Sequence, residues 1–147
     1  MNTLNQLYQE VILDHNRHPR NFRKIDETSF TATGFNPLCG DQVTIYATVQ
    51  QDTIQDISFQ GQGCAISVAS ASLMTEVLRG KTLAEAQALF DLLHASLTSD
   101  AVFSPTTTKL QVLAGVKDYP ARIKCATLAW HAGIAAIQQH HQEITTE

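Results

Sequence analysis

Two short segments of alternating polarity restrict the fold of this chain more than any other feature. Residues 43–49 place Val43, Ile45 and Val49 on one face, and residues 54–59 repeat the pattern after a short polar link. Alternation of this kind is typical of a strand with one buried face. Two such strands joined by a short link predict an antiparallel hairpin.

The segments before and after this hairpin predict one further strand and several helices. Residues 30–35 are β-rich and predict a first strand, and the apolar residues before Pro19 recur at helical spacing. Thr82 and Glu85 form a capping-box pattern that predicts the start of a helix. The predicted helices are residues 4 to about 16–18, residues 65–79, Thr82 to about Leu93, a short helix over 110–116, and Pro120 onwards.

This order of elements predicts the fold class. An N-terminal helix, then strands, then helices indicates an α+β fold, in which a three-stranded antiparallel sheet is packed on one side by helices. With 147 residues, no internal repeat and no linker, we expect a single domain over residues 1–147. We expect the tail from His140 to fray.

Composition excludes several classes of partner. The net charge is −4 and the sequence has no basic patch, so we expect no nucleic acid and no anionic membrane surface as partner. No run of about 18 apolar residues is present to span a bilayer, and the N-terminus has no signal-peptide pattern. Three scattered cysteines are too few for a disulfide framework, which predicts a reducing, cytoplasmic location.

The three cysteines all lie beside residues that shape loops or helix starts. In residues 36–41, Asn-Pro-Leu-Cys-Gly-Asp, a thiol (Cys39) and a carboxylate (Asp41) stand two positions apart. Cys64 precedes one predicted helix, and Cys125 lies near the start of the last. Three element ends can meet at one rim of a sheet. We therefore expect these four groups to converge on one metal or sulfur-handling site.

The pairing of thiol and carboxylate favours a cation between them. A carboxylate raises the pKa of a neighbouring thiol, so Asp41 by itself would not activate Cys39. A bound Zn²⁺ would deprotonate the thiols and accept Asp41 as a ligand, giving three sulfurs and one oxygen in a tetrahedral shell. The spacing matches no zinc-finger template, and two plainer interpretations stay open: Cys125 as a small buried hydrophobe and Asp41 as a turn residue.

Several stretches together carry a resemblance to a known family. They cover nearly the whole chain: residues 8–15, His18-Pro19-Arg20-Asn21, residues 36–41, residues 61–67, residues 80–82 and residues 120–126. They resemble the iron–sulfur cluster assembly proteins of the IscU/NifU N-terminal-domain superfamily. The resemblance implies a three-stranded sheet packed with helices, in agreement with the fold predicted from the elements.

Two departures place the chain near one branch of that superfamily. IscU-type scaffolds carry a His before the last Cys, whereas this chain has Lys124, and the stretch around residues 93–110 is longer here. Both features resemble the SufU branch. That resemblance implies a Zn²⁺ site formed by Cys39, Asp41, Cys64 and Cys125. It also implies a SufS-type cysteine desulfurase, a pyridoxal-phosphate enzyme, as the sulfur donor.

On this interpretation the chain is a zinc-dependent sulfur carrier for iron–sulfur cluster biogenesis. Cys39 is the expected persulfide acceptor because its loop is flanked by Gly40, and the sulfur would pass to a Suf-type scaffold or to apo iron–sulfur proteins. Arg122 and Lys124 either help to dock the partner or are solvated charges. Two alternatives stay open: a scaffold for a transient [2Fe–2S] cluster on the same four groups, and a structural zinc adaptor.

Overall fold

The structure, a computed structural model, describes residues 3–25, 30–37, 40–98, 112–113, 116, 120–138 and 143–145. The helices are α1 (Thr3–Arg17), α2 (Ala65–Leu78), α3 (Leu83–Thr98) and α4 (Pro120–Ile137). The strands are β1 (Phe30–Asn36), β2 (Asp41–Gln50), β3 (Thr53–Gln62) and β4 (Glu143–Thr145). None of the described helices is long and apolar enough to cross a bilayer.

The predicted α+β fold is confirmed. The strands lie in the order β3-β2-β1-β4, and the first three form the predicted antiparallel ladder. The short strand β4 adds to the edge of the sheet by pairing parallel to β1. The expectation that the tail frays is therefore wrong for Glu143–Thr145, where pairing with a neighbouring strand orders a segment that has little local signal of its own.

The sheet buries one face beneath the helices. Helix α4 packs across β1 and β2, α2 packs against β3 and α4, and α1 packs on α2. The alternation of β2 has the predicted phase, because Val43 and Ile45 are buried while the residues between them are more exposed. Asp41 is the first residue of β2 and Asn36 is the last residue of β1, and both side chains lie on the buried face. The two residues are partners in the β1–β2 register. The buried face therefore ends at one rim of the sheet in two polar residues.

Polar contacts within the core join helices α2 and α4. The hydroxyl of Ser70 is buried, donates to the backbone carbonyl of Ala126 and accepts from Nε1 of Trp130 at 3.1 Å. Because a buried hydroxyl and a buried indole N–H both need partners, this arrangement fixes how the two helices face each other.

The segment that follows α1 is fastened to α2. The backbone N–H of Arg20 donates to Oγ of Ser72 at 2.9 Å, and Nδ1 of the buried His15 lies 2.7 Å from the same oxygen. The side-chain amide of Asn21 donates to Oγ1 of Thr75 at 3.1 Å. Residues from two of the stretches that carry the family resemblance therefore serve to hold α1 against α2.

Helix α3 begins at the predicted capping box. The backbone N–H of Thr82 donates to Oε1 of Glu85 at 2.9 Å, and the backbone N–H of Glu85 donates to Oγ1 of Thr82 at 3.1 Å. The helix continues to Thr98, five residues beyond the predicted end. Most of the predicted short helix over 110–116 lies outside the described residues; of the described part, Val112 and Leu113 are helical and buried.

The capping box predicts a pH-dependent contribution to stability. Thr82→Ala removes one of the two reciprocal bonds, and we expect it to lower the free energy of unfolding by about 1 kcal/mol near neutral pH. Glu85→Gln keeps a capping side chain without the charge. The hydrogen bonds from Thr82 hold the pKa of Glu85 below its ordinary value of 4.5. The stabilisation from the charge is therefore complete above that value and disappears as pH falls through the lowered, folded-state pKa.

Urea unfolding measured against pH checks this prediction. The difference in free energy between wild type and Glu85→Gln should be present near neutral pH and should disappear as the pH falls through the lowered, folded-state pKa of Glu85. The opposite order, with a larger difference in acid, would contradict the assignment.

The hairpin between β2 and β3 predicts a stabilising substitution. Gln51 and Asp52 form its two-residue turn with φ of 52° and 59°, as a type I′ turn requires. Asp52→Gly removes the Cβ at a left-handed position, and we expect the free energy of unfolding in urea to rise by roughly 0.5 kcal/mol. Asp52→Ala keeps a Cβ and is the matched control, so it should not stabilise. Equal effects of the two substitutions would show that backbone conformation does not limit this turn.

Candidate metal centre

Three of the four predicted site residues converge at the rim where the buried face of the sheet ends. Asp41 begins β2, Cys64 immediately precedes α2, and Cys125 lies in the second turn of α4. One carboxylate oxygen of Asp41 and the Sγ atoms of Cys64 and Cys125 all lie within 4.8 Å of one another. Two sulfurs and one oxygen at this spacing can be brought onto a single cation with small side-chain movements.

Local structure at each position explains the convergence. Cys64 is the N-cap of α2, and its backbone N–H donates to Oδ1 of Asp41 at 2.8 Å. The carboxylate therefore lies at the N-terminal end of a helix, where the partial positive charge of the backbone favours an anion. The thiol of Cys64 makes no capping hydrogen bond itself, so it is available to a ligand.

The carboxylate of Asp41 is buried without a cationic partner among the described side chains. Asp41 is 2% exposed, and no described lysine, arginine or histidine forms an ion pair with it. Its partners are neutral donors, the N–H of Cys64 and Nδ2 of Asn36. Burying a carboxylate with neutral donors alone is costly. A cation between Asp41 and the two thiols would offset that cost.

The structure places the other predicted residues as follows. Cys39, the predicted fourth ligand and persulfide acceptor, lies outside the described residues. The described residues on either side of it, Pro37 and Gly40, are exposed. Arg122 is exposed and Lys124 is half-buried, both near the start of α4 and close in sequence to Cys125.

Sequence reasoning missed Asn36 as part of this centre. Its side chain is fully buried, and its Nδ2 lies 3.4 Å from Oδ2 of Asp41 and 3.5 Å from Sγ of Cys125. The available signal was proximity in sequence, because Asn36 directly follows the predicted strand over 30–35 and stands in the same six-residue stretch as Cys39 and Asp41.

The described histidines of α3 and α4 belong to a separate aromatic cluster. His94 and His131 pack with Phe90 between α3 and α4, with the two imidazole centroids 6.2 Å apart. Burial, assisted by His94, lowers the pKa of His131. Within the described part of the chain, no second group of three or more metal-ligating side chains converges as Asp41, Cys64 and Cys125 do.

The helices cover one face of the antiparallel sheet, and two thiols and a buried carboxylate meet at its rim. This combination indicates a protein that binds metal or handles sulfur. The comparison with known families makes the assignment specific. The chain belongs to the family described as the NifU-like N terminal domain, which matches residues 7–146. The resemblance inferred from the sequence motifs is confirmed.

Two relatives support the same family, and a solved structure supports the fold. The chain is 38% identical over 142 residues to the iron–sulfur cluster assembly scaffold protein IscU of Streptococcus pyogenes serotype M1, covering 95% of this chain and 87% of the relative. It is 37% identical over 133 residues to the zinc-dependent sulfurtransferase SufU of Bacillus subtilis, covering 88% of each. The crystal structure of a nitrogen-fixing NifU-like protein (N-terminal) from Brucella abortus has the same fold, with a TM-score of 0.84 and 24% identity, covering 94% of this chain and 96% of that chain.

The close approach of Gly63 to Asp41 predicts a sensitive position. A Cβ on Gly63 would lie 2.2 Å from Oδ1 of Asp41, and φ is +151°. Gly63→Ala should therefore displace the carboxylate and break its bond from the N–H of Cys64. We expect metal binding at the centre to weaken, together with a loss of stability.

Gly80→Ala is the matched control for this substitution. Gly80 also has a positive φ, +84°, but a Cβ there would meet nothing within 4 Å. Changes at Gly80 should therefore affect stability while metal binding stays that of wild type. If both variants lose the same stability and bind metal equally well, the contact between Gly63 and Asp41 does not shape the centre.

Proposed function

We propose that this chain acts in iron–sulfur cluster assembly as a zinc-dependent sulfur carrier that accepts persulfide sulfur from a SufS-type cysteine desulfurase. One observation carries the proposal: a buried carboxylate without a described cationic partner lies beside two thiols. The relative named a zinc-dependent sulfurtransferase supports zinc as the ion and sulfur transfer as the reaction. The sulfur would go on to a Suf-type scaffold or to apo iron–sulfur proteins.

The donor set suits zinc. Thiolate sulfurs and a carboxylate oxygen are accepted zinc ligands, and structural zinc sites are most often tetrahedral. Asp41, Cys64 and Cys125 supply three of the four ligands, and Cys39 is the proposed fourth. When bound, zinc would keep the thiols deprotonated and satisfy the charge of the buried carboxylate.

The transfer itself is a displacement at sulfur. The thiolate of Cys39 attacks the terminal sulfur of the cysteine persulfide on the desulfurase. A new S–S bond forms as the old one breaks, and the enzyme's cysteine leaves as a thiolate. Cys39 then carries the persulfide, and no external oxidant or reductant is needed.

Burial supports Cys39 as the acceptor. Sulfur transfer requires two sulfur atoms on two proteins to come into contact. Cys125 is 0% exposed and Cys64 is half-buried. Cys39 stands between the exposed residues Pro37 and Gly40. The burial of Cys125 therefore disfavours it as the acceptor, and the exposed residues on either side of Cys39 support this stretch as the place of transfer.

The start of α4 is the proposed docking surface. Arg122 is exposed and Lys124 is half-buried, and both precede Cys125 closely. Two basic side chains at this place can attract an acidic surface on the desulfurase. Lys124 also occupies the position at which IscU-type scaffolds carry a histidine ligand, which favours the carrier over the cluster scaffold.

A cluster scaffold is the second candidate function. The relative named an iron–sulfur cluster assembly scaffold protein is as similar to this chain as the sulfurtransferase is. Cysteine thiolates with a carboxylate can hold a [2Fe–2S] cluster. Iron, visible absorbance and little effect on the desulfurase would be its signature.

Metal content and desulfurase turnover test the proposal together. We expect about one zinc per chain in freshly purified protein and a large stimulation of a SufS-type desulfurase. Cys39→Ala should abolish the stimulation, and mass spectrometry should find one added sulfur atom on Cys39 of the wild type after turnover. Ser96→Ala, at a buried serine of α3, is the control and should retain both properties.

The opposing outcomes separate the alternatives. Full stimulation by Cys39→Ala would remove Cys39 as the acceptor. A visible cluster after anaerobic reconstitution without stimulation would favour the scaffold. Zinc-dependent folding with neither property would indicate a structural adaptor.

A further inference from the structure

Asn36 is the one described side chain with hydrogen bonds to two of the candidate ligands. It ends β1 and is 0% exposed. Its Nδ2 lies 3.4 Å from Oδ2 of Asp41 and 3.5 Å from Sγ of Cys125. Because a carboxamide nitrogen carries two hydrogens, it can donate to both groups at once.

The orientation of this carboxamide is set by the ligands. A flipped amide would place Oδ1 of Asn36 against the carboxylate of Asp41, which repels it. In the observed orientation Oδ1 is buried and has no partner among the described residues. A buried unsatisfied acceptor is costly, and such groups in native structures call for an explanation.

We propose that Asn36 is a positioning residue of the metal centre. Its carboxamide holds two of the candidate ligands in place, the carboxylate of Asp41 and the thiol of Cys125. This inference rests on the proposed metal centre. An N–H group that donates a hydrogen bond to a metal ligand orients that ligand and withdraws electron density from it. The carboxamide of Asn36 would do this for the carboxylate oxygen of Asp41 on β2 and for the sulfur of Cys125 on α4.

The backbone fixes Asn36 for this role. Asn36 and Asp41 are register partners at the end of the β1–β2 ladder, and the four residues between them include Cys39. The hydrogen bond from Asn36 to Asp41 therefore joins the two residues that flank the stretch carrying the proposed sulfur acceptor. Asp41 and Cys125 would therefore keep their positions on β2 and α4 whichever group completes the ligand set.

Asn36→Leu is the direct test, because leucine has the same branched arrangement of side-chain heavy atoms and no donor. Competition against a chromophoric chelator measures zinc affinity, and we expect a loss of about 10–100-fold. In the Co²⁺-substituted protein, losing the N–H···S bond should move the thiolate-to-cobalt charge-transfer band to longer wavelength. Urea unfolding of the metal-free protein should show a lower free energy of unfolding, because the buried carboxylate of Asp41 loses a donor, so zinc affinity is compared among variants that are folded without metal.

Ser58→Ala is the matched control. Ser58 is fully buried, and its hydroxyl also has no described partner, but it lies in the middle of β3, away from the rim. It should leave zinc affinity and the cobalt spectrum unchanged. Should Asn36→Leu not fold, Asn36→Ala provides the same test with less bulk, and the same loss of zinc affinity is expected of it.

The outcomes distinguish this inference from the proposed function. If wild type binds zinc and cobalt while the Asn36 variants match its affinity and spectrum, the positioning role is overturned and the metal centre stands. If wild type binds neither metal, the metal centre and the positioning role both fail.

Discussion

The buried carboxylate of Asp41 is the constraint on which the centre depends. A carboxylate at 2% exposure must be matched by donors or by positive charge. Its described partners come from two other elements: the N–H of Cys64 at the start of α2, and the carboxamide of Asn36 at the end of β1. Through Asn36 the network reaches Cys125 on α4. One charged group thus fixes the relative positions of two strands and two helices, and its uncompensated charge is the strongest reason to place a cation there.

The fold brings these groups together by simple geometry. Antiparallel pairing of β1 and β2 sets Asn36 opposite Asp41, on the face that the helices cover. Strand β3 runs back to the same rim, and Gly63 lets the chain turn into α2 with its backbone against the carboxylate. Helix α4 crosses β1 and β2, which delivers Cys125 to the rim from above. Strand pairing or helix packing thus explains the position of each group, and the centre forms where these elements meet at the rim.

Much of this could be predicted from sequence because the signals are local. The alternation at Val43 and Ile45 gave the right face, since side chains on a strand point to opposite sides in turn. The capping box at Thr82 was found because it needs only two side chains three residues apart. Strand β4 was missed because its order comes from pairing with β1, far away in sequence. Asn36 was missed for the same reason: its role depends on which groups the folded chain sets beside its amide.

The two described thiols are not equivalent, and this difference bears on the choice between carrier and scaffold. Cys125, in the second turn of α4, is fully buried, whereas Cys64 is half-buried at a helix start. Iron and sulfide are small and need only a narrow path, so burial of one ligand is no obstacle to building a cluster. Persulfide transfer instead requires a side chain of another protein to touch the receiving sulfur. Burial therefore restricts a carrier far more than a scaffold, and of the two described thiols it argues more strongly against Cys125 as a receiver of persulfide sulfur.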